Sequence, residues 1–333
     1  METNNYQGAL QKPIGSGFNG KSTASEVIKG IDLTGKIAII TGGNSGVGLE
    51  TTRVLAKAGA TVIVLARDIE KARKSLNGIE NVQIDQMDLM DPISIDSFAE
   101  KFISTGNPLH FLINNAGIMW VPYRKDDRGF ESQLATNYLG HFQLTARLWP
   151  ALKVAKGARI INVSSYGHHY SAFHFEDPNF NHREYETLLG YGQSKTAINL
   201  FTVELDNLSK EFHVRSYSVH PGSVGGTDLA REASQELFKQ MGILGEDNSI
   251  RPEVEATLKT ISQGAATTVW CATSPKLNDL GGVYCEDADI ATLNLLEDSE
   301  SYNGVLSYSL EQSNAKKLWE LSEKMTGVTF KVN

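Results

Sequence analysis

Short apolar, β-branched runs alternate with longer amphipathic segments from Lys36 onward, and this alternation restricts the possible folds more than any other feature of the chain. Continuous apolar runs bounded by turn residues are typical of strands that are covered on both faces. Six such runs occur, at residues 37–40, 61–65, 82–84, 109–113, 159–163 and 214–219. The pattern therefore predicts an α/β fold, with a doubly wound parallel sheet and helices on both of its faces.

One domain spanning residues 34–333 is the simplest organisation, because the chain has neither an internal repeat nor the Pro/Gly-rich linker expected between two domains. Residues 1–33 are expected to form an N-terminal extension on the surface of this domain, and residues 225–262 a mobile insertion within it. Asp91 followed by Pro92 predicts the cap and first residue of a helix. An amphipathic final helix is predicted over residues 314–326.

Charge and cysteine content exclude several classes of protein. A net charge of −8 without a dense Lys/Arg run gives no general attraction for nucleic acid. Only Cys271 and Cys285 are present, which is too few for a disulfide framework and favours a reducing, cytoplasmic setting. The sequence shows neither a secretory signal nor a membrane-spanning apolar stretch of about 18 residues, so no membrane association is expected.

A glycine-rich turn follows the first predicted strand and precedes a helix. Its glycines are spaced GxxxGxG, which allows a sharp turn, close approach of the backbone to a pyrophosphate and phosphate binding by the helix amides. The candidate cofactor contacts in this turn are Gly42, Asn44, Ser45, Gly46, Val47 and Gly48.

A second glycine segment, residues 15–22, matches the P-loop pattern GxxxxGK[ST], but Gly8, Lys12 and Pro13 precede it instead of a buried strand. We interpret that match as a coincidence.

The end of the second predicted strand indicates which dinucleotide is preferred. An NAD-selective site usually places a carboxylate here against the ribose 2′-hydroxyl, whereas this chain has Ala66. Arg67 follows, and its guanidinium suits a 2′-phosphate. NADP(H) is therefore the expected cofactor, with a solvated Arg67 partly neutralised by Asp68 as the alternative.

Tyr191 and Lys195 lie four residues apart and hence on one face of a predicted helix. A free tyrosine has a pKa of about 10 and needs a nearby cation to act as a general acid or base near neutral pH. Lys195 is placed to supply that cation. Such a pair also occurs by chance on protein surfaces, so the spacing alone leaves the function open.

Four motifs in one order identify the resemblance: the glycine turn, Asn-Asn-Ala-Gly at 114–117, Asn-Val-Ser-Ser at 162–165 and Tyr-x-x-x-Lys at 191–195. Together they resemble the short-chain dehydrogenase/reductase family, over about residues 30 to 327. Residues 137–142, 217–222 and 318–322, and the long span between 165 and 191, are similar to its retinol-dehydrogenase-like and WW-domain-oxidoreductase-like branch. The resemblance implies a single-domain Rossmann fold.

The resemblance also implies a catalytic tetrad of Asn137, Ser165, Tyr191 and Lys195. In it Tyr191 exchanges a proton with the substrate oxygen, Ser165 hydrogen-bonds the same oxygen, Lys195 binds the nicotinamide ribose and lowers the tyrosine pKa, and Asn137 supports a water relay. Ser164 is the alternative for the serine role. The further cofactor contacts that the resemblance implies are Asp88, Leu89, Asn115, Ala116, Gly117, Pro221, Gly222 and Val224. Thr227 lies one residue beyond the family position, which leaves its contact with the cofactor open.

Histidines 168, 169, 174 and 182 with Asp177 match no standard zinc spacing, and no metal is expected. Trp120, Tyr166, this histidine stretch and residues 225–262 are expected to line or gate the substrate pocket, with core packing as the alternative for Trp120.

The implied activity interconverts a ketone or aldehyde and an alcohol by hydride transfer. Epimerisation or C=C reduction on the same fold, and a non-catalytic NADPH-binding regulator, are the alternatives. A small-molecule substrate and a homodimer or homotetramer are expected.

Overall fold

The computed structural model describes residues 4–294 and 303–332. Eight strands form one sheet in the order β3-β2-β1-β4-β5-β6-β7-β8, in which β1 to β7 are parallel and β8 is antiparallel to β7. The strands are β1 (Ile37–Thr41), β2 (Thr61–Ala66), β3 (Val82–Gln86), β4 (Phe111–Asn114), β5 (Arg159–Val163), β6 (Arg215–Val219), β7 (Val283–Glu286) and β8 (Asp289–Ile290). A separate parallel pair joins β9 (Leu293–Asn294) to β10 (Val305–Leu306).

Helices cover both faces of the sheet. They are α1 (Ala24–Val27), α2 (Gly46–Lys57), α3 (Ile69–Ser75), α4 (Pro92–Ser104), α5 (Ser132–Leu134), α6 (Gly140–Val154), α7 (Thr187–Ser209), α8 (Gln235–Gln240), α9 (Pro252–Glu255), α10 (Ile261–Thr273) and α11 (Gln312–Thr326). Within residues 4–294 and 303–332, none of the helices has the length and apolar character needed to cross a bilayer.

Each strand divides its side chains between two hydrophobic cores, because successive residues of a strand point to opposite faces. In β1, Ile39 contributes to the core shared with α4, α6, α7 and α11, whereas Ile40 contributes to the core shared with α1, α2, α3 and α10. This arrangement confirms the predicted doubly wound sheet with helices on both faces.

The strand order places the ends of β1, β4 and β5 side by side. Ile40 pairs with Ile113 and Ile113 with Ile161, so the residues that follow these three strands meet at one edge of the sheet. The chain reverses its direction of winding between β1 and β4, and ligands of open α/β sheets bind in the crevice beside such a reversal. The fold therefore brings the glycine turn to the same crevice as residues 114–117 and 163–165.

Several strand boundaries differ from the sequence prediction, and two strands of the main sheet, β7 and β8, were not predicted. β4 begins at Phe111 and β6 at Arg215, later than the predicted 109 and 214. β7 was not predicted, because its four residues are too short to give a periodic signal. β7 pairs with β6, which lies more than 60 residues earlier in the chain, so no local pattern marks it. The predicted helix starts at Asp91 and Pro92 are confirmed, since the Asp91 side chain accepts a hydrogen bond from the amide of Ile93 at 2.9 Å.

The N-terminal segment is more deeply embedded than the surface extension that the sequence predicts. Residues 1–3 of that extension lie outside the described residues. Asn5 is buried and donates to the Gly282 carbonyl, while Gln11 donates to the Tyr284 carbonyl and accepts from its amide. Gln11 thus extends the hydrogen bonding of β7. The prediction of a purely surface position is wrong for these residues, because the amide side chains satisfy backbone groups of the sheet.

The segment with the P-loop pattern holds a carboxylate of the chain itself. The successive amides of Ile14, Gly15 and Ser16 donate to the carboxylate of Asp289 at 3.1, 3.0 and 2.9 Å. Successive backbone amides of this kind form an anion-binding concavity. Here Asp289 occupies it, so this loop anchors the N-terminal segment to β8.

Replacing Asp289 with alanine is expected to lower the free energy of unfolding by about 1–3 kcal/mol, because three amides lose a charged acceptor. Chemical denaturation followed by circular dichroism measures this difference. Asp127→Ala is the matched control, since Asp127 is exposed and should change stability by less than about 0.5 kcal/mol. Equal effects of the two variants would contradict the anchoring role of Asp289.

Candidate active site

The glycine turn connects β1 to the start of α2, and Gly42, Gly46 and Gly48 of its four glycines are each required by the local geometry. Gly42 and Gly46 have φ of +65° and +51°, a region that side chains other than glycine rarely occupy. A Cβ at Gly48 would lie 2.4 Å from the Gly42 carbonyl oxygen and 2.5 Å from Asn115 Nδ2. Gly48 therefore allows the first turn of α2 to pack against the loops after β1 and β4.

The hydroxyl of Thr41, the last residue of β1, links this turn to the loop after β4. Thr41 Oγ1 accepts hydrogen bonds from the amides of Asn115 and Ala116 at 2.9 and 3.0 Å, and lies 2.8 Å from His141 Nε2. Its one proton is therefore available for His141 Nε2, so that His141 Nδ1–H donates to the Asn137 carbonyl at 2.9 Å. Burial lowers the pKa of His141 to about 4, which keeps the ring neutral, as this chain of hydrogen bonds requires.

Asn137 lies in a turn of π-helix, Ala135–Leu139, between α5 and α6. Its side-chain oxygen accepts from the Ile118 amide at 2.9 Å, and its Nδ2 donates to the Ile118 carbonyl and to Ser194 Oγ, each at 3.0 Å. π-turns of this kind are frequent at functional sites. Asn137 thus joins the loop after Gly117 to the helix that carries Tyr191.

Tyr191 lies in the first turns of α7 with only 2% of its surface exposed. Burial raises the pKa of its phenol, and a hydrogen bond with Ser165 acts in the opposite direction. Gly167 makes this contact possible, because a Cβ there would lie 2.4 Å from Tyr191 Cε1. Ser164 lies apart from this pair, with its hydroxyl directed to the Lys195 carbonyl at 3.3 Å.

Lys195 is one helical turn beyond Tyr191 and is buried on the same face of α7. Its Nζ donates to the Val163 carbonyl at the end of β5, at 2.8 Å, and lies 5.5 Å from the centroid of the Tyr191 ring. Burial lowers the pKa of Lys195 to about 7. The structure thus gathers Ser165, Tyr191 and Lys195 at the carboxyl end of β5, beside Asn137.

Arg67 follows β2 at the outer end of the crevice and is exposed. The Asp68 carboxylate caps α3 by accepting from the Lys71 amide at 2.9 Å. The Lys71 ammonium lies 3.4 Å from Asp228. In the part of the chain that the structure describes, Arg67 has no ion-pair partner. The alternative in which Asp68 neutralises Arg67 therefore has no support in the contacts of these side chains.

The remaining candidate cofactor residues border the same crevice. Asp88 and Leu89 follow β3, and residues 221–224 follow β6. Val224 and Val47 meet at Gly264 on α10, where a Cβ would lie 2.5 and 3.1 Å from their methyl groups. Thr227 approaches Gly46, with its methyl 3.5 Å from the position of a Cβ there. The extra residue in this loop therefore leaves Thr227 beside the glycine turn.

The insertion, residues 225–262, crosses the crevice and is held on both sides. At its base the amide of Gly225 donates to the Lys259 carbonyl, and Lys259 Nζ pairs with Asp287 at 2.5 Å. At its far side Glu232 forms two hydrogen bonds with Arg124. Phe238 of α8 packs on Trp120. These contacts hold the insertion against the loops that carry Arg124, Trp120 and Asp287, and its role in lining or gating the substrate pocket stays a prediction.

Two histidines of the 168–182 stretch, His168 and His169, have separate protein partners. His168 contacts the Ser165 carbonyl through Nδ1 and accepts from the Leu306 amide, while His169 stacks on Tyr166 with ring centroids 4.4 Å apart. Burial lowers the pKa of both rings. In residues 4–294 and 303–332 no three His, Cys, Asp or Glu side chains are grouped as a metal site requires.

Sequence reasoning missed three residues that shape the site: Thr41, His141 and Gly167. Thr41 and His141 are separated by 100 residues, so their hydrogen bond has no local signature. Gly167 is one glycine in a loop, and only its distance from the Tyr191 ring shows why a side chain is excluded there. A periodic or spaced pattern would have been needed to find any of them.

Known proteins resemble this chain over most of its length. The sequence model of the short chain dehydrogenase family matches residues 36–237. A protein of Streptomyces lividans named "Probable oxidoreductase" is 40% identical, over 87% of this chain and 97% of that protein. Retinol dehydrogenase 11 of Mus musculus is 36% identical, over 90% of this chain and 88% of that protein.

Solved structures show the same fold. An uncharacterized protein from Mycobacterium paratuberculosis has a TM-score of 0.70 and 30% identity, covering 92% of this chain and 98% of its own. The RhlG/NADP complex of Pseudomonas aeruginosa has a TM-score of 0.58 and 23% identity, covering 77% of this chain and 95% of its own. With its matching sequence motifs, doubly wound sheet and site residues gathered at one edge, the chain belongs to the short chain dehydrogenase family of oxidoreductases.

Proposed function

We propose that this protein is an NADP(H)-dependent oxidoreductase that interconverts a ketone or aldehyde and an alcohol, with Tyr191 as the general acid/base. The observation that supports this most is the meeting of Tyr191, Ser165 and Lys195 at the end of β5, beside the glycine turn. A phenol that hydrogen-bonds a second hydroxyl presents two groups to one substrate oxygen, which is the geometry that proton transfer to a carbonyl requires.

The glycine turn fits a dinucleotide. Ser45 is the N-cap of α2, but its side chain makes no capping hydrogen bond, which leaves amides of the first turn available to a phosphate. Gly46 beside it leaves room for close approach. The remaining residues that would hold the cofactor are those named above after β2, β3, β4 and β6, with Arg67 at the 2′-phosphate. When bound, the cofactor supplies or accepts the hydride.

Tyr191 and Ser165 handle the oxygen of the substrate. Because burial raises the tyrosine pKa, the phenol is protonated near neutral pH and is ready to give its proton to a carbonyl oxygen. In the reverse direction its phenolate form accepts the proton of the alcohol and becomes the phenol. Ser165 hydrogen-bonds the same oxygen and stabilises the charge that develops on it.

Lys195 and Asn137 support the proton transfer. A charged Lys195 ammonium 5.5 Å from the Tyr191 ring centroid favours the phenolate and so assists return of the proton from an alcohol. We propose that Lys195 also binds the nicotinamide ribose. Asn137 is hydrogen-bonded to Ile118 and Ser194, and we propose that it supports a water relay behind Lys195.

Two other functions are compatible with the same fold: epimerisation or C=C reduction, and binding of NADPH without catalysis. The carbonyl/alcohol reaction is favoured over binding without catalysis because the full set of acid/base groups is assembled, and product analysis separates it from epimerisation and C=C reduction. We propose an apolar carbonyl substrate, in keeping with relatives named retinol dehydrogenase. A cytoplasmic location and a homodimer or homotetramer are part of this proposal.

Tyr191→Phe is expected to lower kcat for NADPH-dependent ketone reduction by about 10²- to 10⁴-fold, because it removes the proton donor. Absorbance at 340 nm measures turnover, and fluorescence of bound NADPH measures cofactor affinity, which should change little. Ser165→Ala should also reduce kcat, whereas Ser164→Ala is the matched control, since its hydroxyl points to the Lys195 carbonyl. Near-normal turnover of Tyr191→Phe would end the acid/base assignment.

Arg67→Ala is expected to lower kcat/KM for NADPH by about 10-fold or more while leaving that for NADH nearly unchanged, because a charge-assisted contact with the 2′-phosphate is lost. Arg73→Ala is the control: Arg73 lies on α3, which begins just after Arg67, and pairs with Glu70 at 2.7 Å. An unmodified enzyme that uses NADH and NADPH equally well would contradict the proposed preference.

Lys195→Met is expected to flatten the pH dependence of stability in the ligand-free protein. Burial lowers the pKa of Lys195 to about 7 in the folded protein, whereas the ordinary pKa of a lysine side chain, as in the unfolded chain, is 10.5. Between these values the unfolded state binds more protons, so the free energy of unfolding rises with pH, by at most about 1.4 kcal/mol per unit. Below pH 7 the full cost of burying the charge remains.

Urea denaturation of both proteins at several pH values between 6 and 10 measures this difference. The quantity to compare is the free energy of unfolding of Lys195→Met minus that of the unmodified protein. This difference should be largest near pH 6 and should fall as the pH rises. A difference that does not vary with pH would show that Lys195 titrates normally in the folded protein.

A further inference from the structure

Trp120 is buried, with 7% of its surface exposed, yet it belongs to neither of the two hydrophobic cores. Its φ is +57°, a left-handed conformation that is strained for a bulky side chain. Strained residues of this kind cluster at functional sites, where the surrounding structure holds them in place. Packing in a core, the alternative that the sequence leaves open for Trp120, does not account for its position.

The backbone around Trp120 is fixed to both sides of the catalytic centre. The Trp120 amide donates to Gln133 Oε1 at 2.9 Å, and the Ile118 amide donates to Asn137 Oδ1 at 2.9 Å. On the other side, the Thr187 hydroxyl donates to the Val121 carbonyl at 2.9 Å. Thr187 begins α7, one turn before Tyr191. Trp120 is therefore held between the turn that carries Asn137 and the helix that carries Tyr191.

The ring of Trp120 faces the insertion. It packs edge-on against Phe238 of α8, with ring centroids 5.5 Å apart. Leu229 of the same insertion extends toward Gly117, where a Cβ would lie 3.8 Å from its Cδ1. The surface formed by Trp120, Phe238 and Leu229 beside Gly117 is thus aromatic and apolar, which suits the body of an apolar substrate.

The indole nitrogen of Trp120 is the exception in this apolar wall. Nε1 is buried and has no acceptor among residues 4–294 and 303–332. A tryptophan N–H usually finds a partner when it is buried, because an unsatisfied donor costs free energy. A substrate atom that accepts a hydrogen bond would supply this partner.

We infer that Trp120 determines specificity by donating its indole N–H to an acceptor oxygen of the substrate, remote from the reacting carbonyl. This inference rests on the proposed carbonyl/alcohol activity and names its substrate class: an apolar ketone or aldehyde that also carries an ether, ester, carbonyl or hydroxyl oxygen. A site that hydrogen-bonds a substrate group discriminates against analogues that lack it, because its donor is then left unpaired.

A set of ketones of equal length tests this assignment. The probes are 2-decanone and its oxa analogues, in which an ether oxygen replaces one methylene at successive positions. The unmodified enzyme should show the highest kcat/KM for one oxygen position. Trp120→Phe keeps an aromatic ring but removes the N–H, and should lower the ratio of kcat/KM for the preferred oxa ketone to that for 2-decanone by about 3- to 10-fold.

Trp149→Phe is the matched control. Trp149 Nε1 is also buried without an acceptor in the described ranges, but this side chain of α6 packs in the core against Phe212 and Phe330. The variant should keep the preference of the unmodified enzyme for one oxygen position. A loss of kcat/KM in Trp120→Phe that is equal for all the ketones would assign Trp120 to packing alone and overturn the inference.

Binding without turnover gives an independent readout. In ¹⁵N-labelled protein with NADP⁺ and the preferred oxa ketone, which cannot react together, the Trp120 indole resonance should shift downfield on forming a hydrogen bond. The chain has four tryptophans, so the resonance lost in Trp120→Phe identifies it. If that variant does not fold, the through-space contact with Phe238 identifies the resonance in the unmodified protein.

The two readouts separate failure of this inference from failure of the proposed function. Absence of NADPH oxidation with every ketone would contradict the proposed activity, and the indole resonance would then decide the role of Trp120 by itself. An indole resonance that stays in place with all the oxa ketones at saturation would overturn the inference, even in an enzyme that reduces 2-decanone.

Discussion

The hydroxyl of Thr41 is the contact on which the rest of the site depends. It is buried at the end of β1 and accepts hydrogen bonds from the amides of Asn115 and Ala116. Its own O–H donates a hydrogen bond to His141 Nε2. Through the neutral His141 ring the same network reaches the carbonyl of Asn137. The loop after β4 and the π-helical turn that carries Asn137 are therefore held at a fixed separation by buried hydrogen bonds, which are costly to break.

A buried cation is the main electrostatic cost of this arrangement. Lys195 has lost its hydration and holds one strong contact, the Val163 carbonyl, which is why its pKa falls. The same low-dielectric surroundings raise the pKa of Tyr191. The two shifts keep a protonated phenol beside an ammonium that titrates near neutral pH, so small changes in the local field alter the proton affinity of the site.

Two glycine segments show how context decides the use of an anion-binding turn. The turn at residues 42–48 joins a buried strand to the long helix α2, and the Ser45 side chain leaves the helix amides uncapped. The segment at 15–22 has the P-loop spacing, but the Asp289 carboxylate accepts hydrogen bonds from the amides of Gly15 and Ser16 and of the preceding Ile14. The letters of a motif specify a backbone that can bind an anion, whereas the neighbouring chain determines whether a ligand or a side chain does so.

Local regularities carried the predictions that hold: apolar runs marked six of the eight strands of the main sheet, glycine spacing marked the turn before α2, and the four-residue spacing placed Tyr191 and Lys195 on one face of α7. These signals are readable because each is set by neighbours along the chain. The strand β7, the embedding of Asn5 and Gln11, the Thr41 to His141 contact and the unpaired indole of Trp120 depend on residues far apart in sequence, so only the folded chain brings their partners together and defines them.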